Sequence, residues 1–149
     1  MRIYEYADET YESKIYQYTQ IMKGSKIIYP ELSYKLNGIF YKVHNQLGRF
    51  CREKQYCDAI QNLLKDTPLK YEREKQLPVE ILHRNTNKVD FIINNQILVE
   101  AKTKRYITRE DYNQMKRYLK AAGLKLGIIV NFREQSIRPR RVINSEVKE

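Results

Sequence analysis

Apolar residues recur every three or four positions in four stretches of the chain, a spacing that predicts amphipathic helices. The predicted helices cover about residues 11–22, 30–47, 50–65 and 108–122. Pro30 opens the second helix, and Thr108 opens the last, with Asp111 three residues later as in a capping box. Gly48 and Gly123 follow as stop signals, so the helices have defined ends.

Runs of branched and aromatic residues lie between the helices and predict β-strands. They cover residues 88–93, 97–102 and 124–132, and residues 69–83 read as extended, with Pro78 as a bend or edge. The order of helices, strand meander, helix and strand predicts an α/β fold with a mixed β-sheet flanked by helices. From Arg133 onwards we expect a frayed basic tail.

Three ionisable residues interrupt the two central strands, which read K-V-D-F-I-I and I-L-V-E-A-K. They are Asp90, Glu100 and Lys102. An ionised carboxylate is unfavourable on such an apolar surface unless a partner compensates its charge. Two carboxylates and a lysine in one place therefore predict a bound cation and a catalytic amine.

The turn between these strands decides which side chains share a face of the sheet. A two-residue turn at Asn94 and Asn95 would point Glu100 away from Asp90, whereas a three-residue turn places the two carboxylates opposite each other. Opposed Cβ atoms lie roughly 4.5–5.5 Å apart, which suits carboxylates that share one ion. Because asparagine tolerates the left-handed backbone of a three-residue turn, we predict that turn, with Lys102 on the same face.

The third predicted helix carries a glutamate on its apolar face. Phe50, Cys57 and Ile60 are expected to face inward. Glu53 shares that face because it precedes Cys57 by four residues. Such a glutamate has a role near the cation, or its carboxylate extends to solvent or forms a local salt bridge. His44, beside the apolar stripe of the second helix, is interpreted as structural.

The formal net charge is +10, which suggests a polyanionic partner. Residues 1–24 carry a net charge of −1, so the remainder carries +11. The N-terminus lacks the apolar segment of a secretory signal, and no run approaches the roughly 20 apolar residues that span a bilayer. Cys51 and Cys57 are too far apart on a helix for a disulfide, and free thiols favour a cytoplasmic location.

An aspartate on one strand and Glu-Ala-Lys on the next resemble the signature of the PD-(D/E)XK nuclease superfamily. More narrowly, the chain resembles the GxxExxY family. The matching segments are L-S-Y-K-L-N-G-I-F-Y-K-V-H-N-Q-L-G at 32–48, E-K-Q-Y at 53–56, the hairpin at 88–102 and A-A-G-L-K-L-G-I-I-V-N-F at 121–132. Phe50 stands where the GxxExxY pattern has its first glycine, while Glu53 and Tyr56 keep the register.

The resemblance implies a restriction-endonuclease-like core with an extra N-terminal helix. It implies that Asp90, Glu100 and the carbonyl of Ala101 hold Mg²⁺ or Mn²⁺, hard cations that take oxygen ligands. Lys102 would orient or deprotonate the attacking water. Glu53 would complete the metal shell through water.

Four further residues are predicted to contact the substrate. Lys104 and Arg105 follow the site as a basic segment that could touch phosphate. The family places the row formed by Gln114 and Tyr118 near the active site, although as bare residues they read as surface polar groups. The predicted partner is nucleic acid, with DNA preferred to RNA and no membrane; a homodimer is left open.

The sequence divides into an N-terminal helical extension at 1–29, a nuclease-like domain at 30–132 and a basic tail at 133–149. The expected function is metal-dependent hydrolysis of phosphodiester bonds. Two alternatives stay open on the same fold. One is a nucleic-acid-binding module without turnover, and the other is a protein-interaction or assembly factor that uses the N-terminal helix.

Overall fold

The computed structural model describes residues 28–77 and 88–148. The elements in this part are α1 (Pro30–Leu47), α2 (Glu53–Lys65), β1 (Tyr71–Gln76), β2 (Lys88–Ile93), β3 (Ile97–Lys102), α3 (Arg109–Ala122), β4 (Leu126–Asn131) and β5 (Arg140–Ile143). The helix predicted near residues 11–22 and the bend predicted at Pro78 lie outside the described residues. Within the described part, no helix has the length and apolar character needed to cross a membrane.

The five strands form one mixed sheet in the order β1-β2-β3-β4-β5. Neighbouring strands are antiparallel except β3 and β4, which are parallel and are connected through α3. This arrangement confirms the predicted α/β fold with a mixed sheet. Because Lys102 pairs with Asn131, the carboxyl ends of β3 and β4 lie side by side at one edge of the sheet.

The helices cover both faces of the sheet. Successive side chains of β3 point to opposite faces of the sheet. Val99 packs in the cluster of α1 and α2, whereas Leu98 packs in the cluster of α3. Gly127 of β4 lets α3 come close, because a Cβ atom at this position would meet the buried Met115 side chain. By the same alternation, Glu100 and Lys102 belong to the face that α3 covers.

The predicted starts of the helices agree with the structure in two of three cases. α1 begins at Pro30, and Thr108 precedes α3 as its N-cap. The third prediction is wrong at its start, because α2 begins at Glu53 and Phe50 is 76% exposed instead of facing inward. Arg52 is extended and donates its backbone N–H to Gln55 Oε1 at 2.9 Å, so the helix cannot begin earlier.

The prediction of a frayed tail is wrong for residues 140–143. They form β5, which pairs with β4 at the edge of the sheet and buries Val142 against the cluster of α3. Arg141 donates to the carbonyl of Ile28 at 2.6 Å and so ties the strand to the start of α1. Burial of an apolar side chain and a completed strand ladder outweigh the charge of the segment.

Candidate active site

The hairpin has the three-residue turn that the sequence predicts. Ile93 pairs with Ile97, which leaves three residues in the loop. Asn94 and Asn95 have φ angles of 51° and 53°, the left-handed backbone that asparagine tolerates. Continued along the strands, this register sets Asp90 opposite Glu100.

The two carboxylates take over the hydrogen bonds between β2 and β3 beyond the last paired residues, Phe91 and Val99. Asp90 donates its backbone N–H to Glu100 Oε1 at 2.8 Å. In return, Ala101 donates its backbone N–H to Asp90 Oδ2 at 2.8 Å. Each carboxylate is thereby held by the opposite strand, with its second oxygen outside these backbone bonds.

The backbone is also distorted on the other side of Asp90. The β1–β2 ladder runs from Tyr71 to Gln76 but omits the pair of Glu74 and Asp90, and Glu74 has a φ angle of 54°. Val89 and Ile92 both pack with the cluster of α3, so the regular alternation breaks at Asp90. Such local irregularities are frequent beside active sites because they redirect a side chain.

Lys102 places its amine among three polar groups. Its Nζ atom lies 3.0 Å from Gln114 Oε1, 3.6 Å from Glu100 Oε2 and 3.9 Å from Asp111 Oδ1. The side chain is 17% exposed, so the amine is partly desolvated yet still reachable from solvent. Gln114 therefore holds Lys102 from α3, although as a bare residue it reads as a surface polar group.

Electrostatic effects link these residues to Glu53 at the start of α2. Burial, followed by repulsion from Asp90, raises the pKa of Glu100. Partial burial and then Asp90 raise the pKa of Glu53, although this residue, expected on the inward face, is exposed to solvent. Burial also raises the pKa of Asp90, against a smaller lowering by its bond to Ala101. The carboxylates are thus close enough together to disfavour full ionisation.

Tyr118 also belongs to this cluster. It is 6% exposed, and burial followed by the charge of Glu100 raises the pKa of its phenol. The structure therefore brings Gln114 and Tyr118 to the predicted site from α3.

The two basic residues after β3 differ in their surroundings. Lys104 Nζ lies 2.8 Å and 3.1 Å from the two carboxylate oxygens of Asp111, so its charge is neutralised within the protein. Arg105 is exposed, and its guanidinium carbon lies 5.6 Å from the centre of the Tyr106 ring. Of this pair, Arg105 is the one whose charge faces solvent.

Asn131 was not singled out by sequence reasoning, yet it supports the site. It is 1% exposed; its Oδ1 accepts the backbone N–H of Lys104 at 3.1 Å, and its Nδ2 donates to the Lys104 carbonyl at 2.6 Å. The signal in the sequence is a single amide that ends the apolar run L-G-I-I-V. A buried polar residue at a strand end needs partners, and here they come from the segment after β3.

Arg73 is a second residue that sequence reasoning did not single out. Its side chain is 21% exposed and donates to Asp58 Oδ1 at 2.6 Å and to Gln61 Oε1 at 2.8 Å. It therefore joins β1 to α2. Its positive charge also lowers the pKa of Asp90 against the larger effect of burial.

His44 has a structural contact, as expected, and Tyr56 has structural contacts too. His44 Nε2 lies 2.9 Å from the carbonyl oxygen of Glu134. Tyr56 is fully buried, stacks on Phe132 at 4.3 Å and donates its hydroxyl to the Gly48 carbonyl at 2.6 Å.

A family model of the PD-(D/E)XK nuclease superfamily matches residues 30–142, which is more than half of the chain. The chain belongs to this superfamily. Membership of the narrower GxxExxY family stays a prediction, as does the division into three segments. No curated protein and no solved structure matches the chain.

PD-(D/E)XK nucleases typically use divalent metals such as Mg²⁺, and the oxygen donors of this site are of the kind that such metals bind. Carboxylate and carbonyl oxygens are the ligands that Mg²⁺ and Mn²⁺ prefer. Within residues 28–77 and 88–148, no three His, Cys, Asp or Glu side chains converge as a metal-binding group. A cation at Asp90 and Glu100 would therefore need backbone oxygen or water as further ligands, and the carbonyl of Ala101 is the nearest candidate by sequence.

Proposed function

We propose that the protein is a metal-dependent nuclease that hydrolyses phosphodiester bonds in DNA or RNA. One observation carries the proposal. Asp90 and Glu100 face each other and are held by each other's strand, while the Lys102 amine lies 3.6 Å from Glu100. Opposed carboxylates with an adjacent amine supply a cation site and a positive charge in one place.

In this proposal, Asp90, Glu100 and the Ala101 carbonyl hold Mg²⁺ or Mn²⁺. When bound, the cation lowers the pKa of a water molecule and polarises the phosphate. Burial keeps the carboxylates in a fixed arrangement and strengthens their interaction with positive charge. Burial is the main cause of the raised pKa values of Asp90 and Glu100, and Lys102 offsets it only in part, so a bound cation would favour the ionised carboxylates.

Lys102 orients the attacking water and stabilises the charge that develops on the phosphate. Gln114 holds the Lys102 amine at 3.0 Å, so the amine points towards Glu100 without a search among rotamers. Glu53 acts through water from the start of α2. Arg105, with its exposed guanidinium, contacts the phosphate backbone, whereas Lys104 does so only if it leaves Asp111.

A cleavage screen tests the proposal. Single-stranded and duplex DNA and RNA are incubated with the protein in Mg²⁺, Mn²⁺ or EDTA. We expect cleavage of at least one substrate with metal and none in EDTA. Glu100→Ala should abolish cleavage, whereas Glu31→Ala should not change it, because Glu31 is an exposed carboxylate of α1 that pairs with Lys35.

The contrary outcomes are distinct. Binding of nucleic acid without cleavage in either metal would support the binding module instead. Equal cleavage by Glu100→Ala and wild type would place the activity outside this site.

A further inference from the structure

Two exposed aromatic rings lie on segments that are close in sequence to residues of the candidate site. In the described part of the chain, the large hydrophobic side chains that remain exposed are Phe50 (76%), Tyr106 (69%) and Ile143 (47%). Phe50 precedes Glu53 by three residues, and Tyr106 follows Lys102 by four. A single exposed ring needs no explanation, but two rings on the segments next to Glu53 and Lys102 form a pattern.

Each ring has an arginine beside it. The guanidinium carbons of Arg49 and Arg133 lie 5.0 Å and 5.6 Å from the centre of Phe50. Arg105 lies 5.6 Å from the centre of Tyr106. These distances fall within the range of cation–π attraction, which orients the rings while they stay accessible.

The two loops are joined through the side chain of Asn131. It accepts the backbone N–H of Arg133 at 3.3 Å and that of Lys104 at 3.1 Å. Arg49 in turn donates its Nε–H to the Arg133 carbonyl at 2.9 Å. One buried amide thus connects the loop of Phe50 with the loop of Tyr106 at the carboxyl ends of β3 and β4.

The loop of Phe50 is also held by the buried Tyr56 side chain. The Tyr56 hydroxyl donates to the Gly48 carbonyl at 2.6 Å and accepts the backbone N–H of Cys51 at 3.2 Å. Gly48 and Cys51, on either side of residues 49–50, are therefore both held by Tyr56, so the exposed Phe50 ring lies on a fixed segment of backbone.

We infer that Phe50 and Tyr106 are stacking platforms for unpaired bases, and that the substrate is single-stranded nucleic acid or an unpaired strand end. The inference rests on the proposed function, since it takes nucleic acid as the ligand of the same site. Every base has a π-face that an aromatic ring can stack on, while the neighbouring arginines attract phosphate. In an intact duplex these faces are occupied by neighbouring bases, so the rings have nothing to stack on.

Binding in EDTA tests the inference without any need for cleavage. Fluorescence anisotropy compares labelled single strands of DNA and RNA with a blunt duplex of the same length. We expect the wild type to bind a single strand more tightly than the duplex. Phe50→Ala and Tyr106→Ala should each weaken single-strand binding by roughly 5- to 150-fold, the range for loss of one base–aromatic stack.

Two controls separate stacking from other effects. Ile143→Ala removes the third exposed apolar side chain, which pairs with Leu126 at the other end of β4 and should leave binding unchanged. Phe50→Tyr and Tyr106→Phe keep an aromatic ring and should bind as the wild type does. A single strand with abasic sugars should bind wild type and the alanine variants equally.

Each opposite result overturns the inference. Equal affinity for duplex and single strand, or unchanged binding by both alanine variants, would show that the rings do not stack on bases. A loss that persists with the abasic strand would assign the effect to charge or to another partner. Stacking without cleavage would leave the inference in place and remove the nuclease proposal, so the two can fail separately.

Discussion

At the scale of single residues, the candidate site contains buried charges that have polar or oppositely charged partners. Glu100 is 6% exposed and accepts a backbone hydrogen bond, and Lys102 compensates part of its charge at 3.6 Å. An uncompensated carboxylate at such a position would be strongly destabilising. Removing either charge should therefore affect function and stability in different ways.

We predict that Glu100→Gln and Lys102→Ala both abolish cleavage by different routes. Glu100→Gln removes a charge from the proposed metal site, so metal affinity should fall while the metal-free fold is retained or slightly stabilised. Lys102→Ala keeps both carboxylates, so metal should still bind while cleavage is lost, which means a fall in rate of about 10²-fold or more. Calorimetric titration measures metal affinity, thermal melts measure the stability of the metal-free protein, and cleavage assays measure the rate.

Lys35→Ala is the matched control, because Lys35 pairs with Glu31 on the surface of α1. Wild-type cleavage by Lys102→Ala would exclude lysine as the catalytic amine. Unfolding of both site variants would assign these charges a structural role.

Asn131→Ala should destabilise the protein by about 1–3 kcal/mol, the usual range when buried hydrogen-bonding groups lose a partner. The change leaves the backbone groups of Lys104 without the amide at 2.6 Å and 3.1 Å. Urea denaturation measures the difference. Asn113→Ala makes the same change at an exposed position of α3 and should be nearly neutral. Equal stability of both variants would contradict the role of Asn131.

At the scale of elements, α3 carries residues to the site and is fixed at its first turn. Asp111 accepts the backbone N–H of Thr108 at 2.8 Å and binds the Lys104 amine. Gln114 follows three residues later and reaches Lys102. The cap therefore links the start of the helix to the segment that leaves β3, in a position where a negative charge also favours the helix dipole.

The stability provided by this cap should depend on pH. Burial alone would raise the pKa of Asp111, but bonds from Lys104 and Thr108 outweigh it and hold the pKa below its ordinary value of 3.8. A lowered folded-state pKa means that the ionised form stabilises the fold above pH 3.8, and that this stabilisation disappears as the pH falls through the lower value. Asp111→Asn should therefore cost about 1–3 kcal/mol near neutral pH and progressively less in acid.

Denaturation of both proteins between neutral pH and pH 3 measures this difference. Glu110→Gln is the control, because Glu110 is an exposed carboxylate of the same first turn. A difference between Asp111→Asn and wild type that stays constant with pH would contradict the ionised cap.

At the scale of the whole molecule, the net charge of +10 favours a polyanionic ligand without specifying one. Nucleic-acid binding should weaken with salt, because each neutralised phosphate releases counterions. The slope of log K against log salt should be about −0.7 per phosphate contact for a single strand. Binding is measured by anisotropy at several salt concentrations.

Two variants distinguish the contribution of phosphate contacts to the salt dependence from the contribution of stacking to affinity. Arg105→Ala should make it shallower by about one phosphate contact, whereas Phe50→Ala should weaken binding with the slope unchanged. Salt-independent binding, or none at low salt, would count against both nucleic-acid functions and favour the interaction factor.

Local patterns were sufficient for the hairpin and most helix ends. The side-chain period of two and the asparagine turn set Asp90 opposite Glu100, and both depend only on residues close in sequence. The start of α2 was mispredicted because an apolar residue at Phe50 satisfied the helical spacing. In the structure α2 begins at Glu53, because the Gln55 side chain accepts the backbone N–H of the N-cap residue Arg52. The exposed Phe50 ring lies beside Arg133, which is distant in sequence.

The sequence by itself determined the α/β order of elements, the facing carboxylates and the lysine beside them, since periodicity and turn chemistry act over a few residues. Tertiary structure decided which distant groups meet these residues. Gln114 reaches Lys102 only because α3 packs on that face of the sheet, and Asn131 reaches Lys104 only because β4 lies parallel to β3. Such contacts depend on which elements become neighbours, and that choice is made by burial across the whole chain.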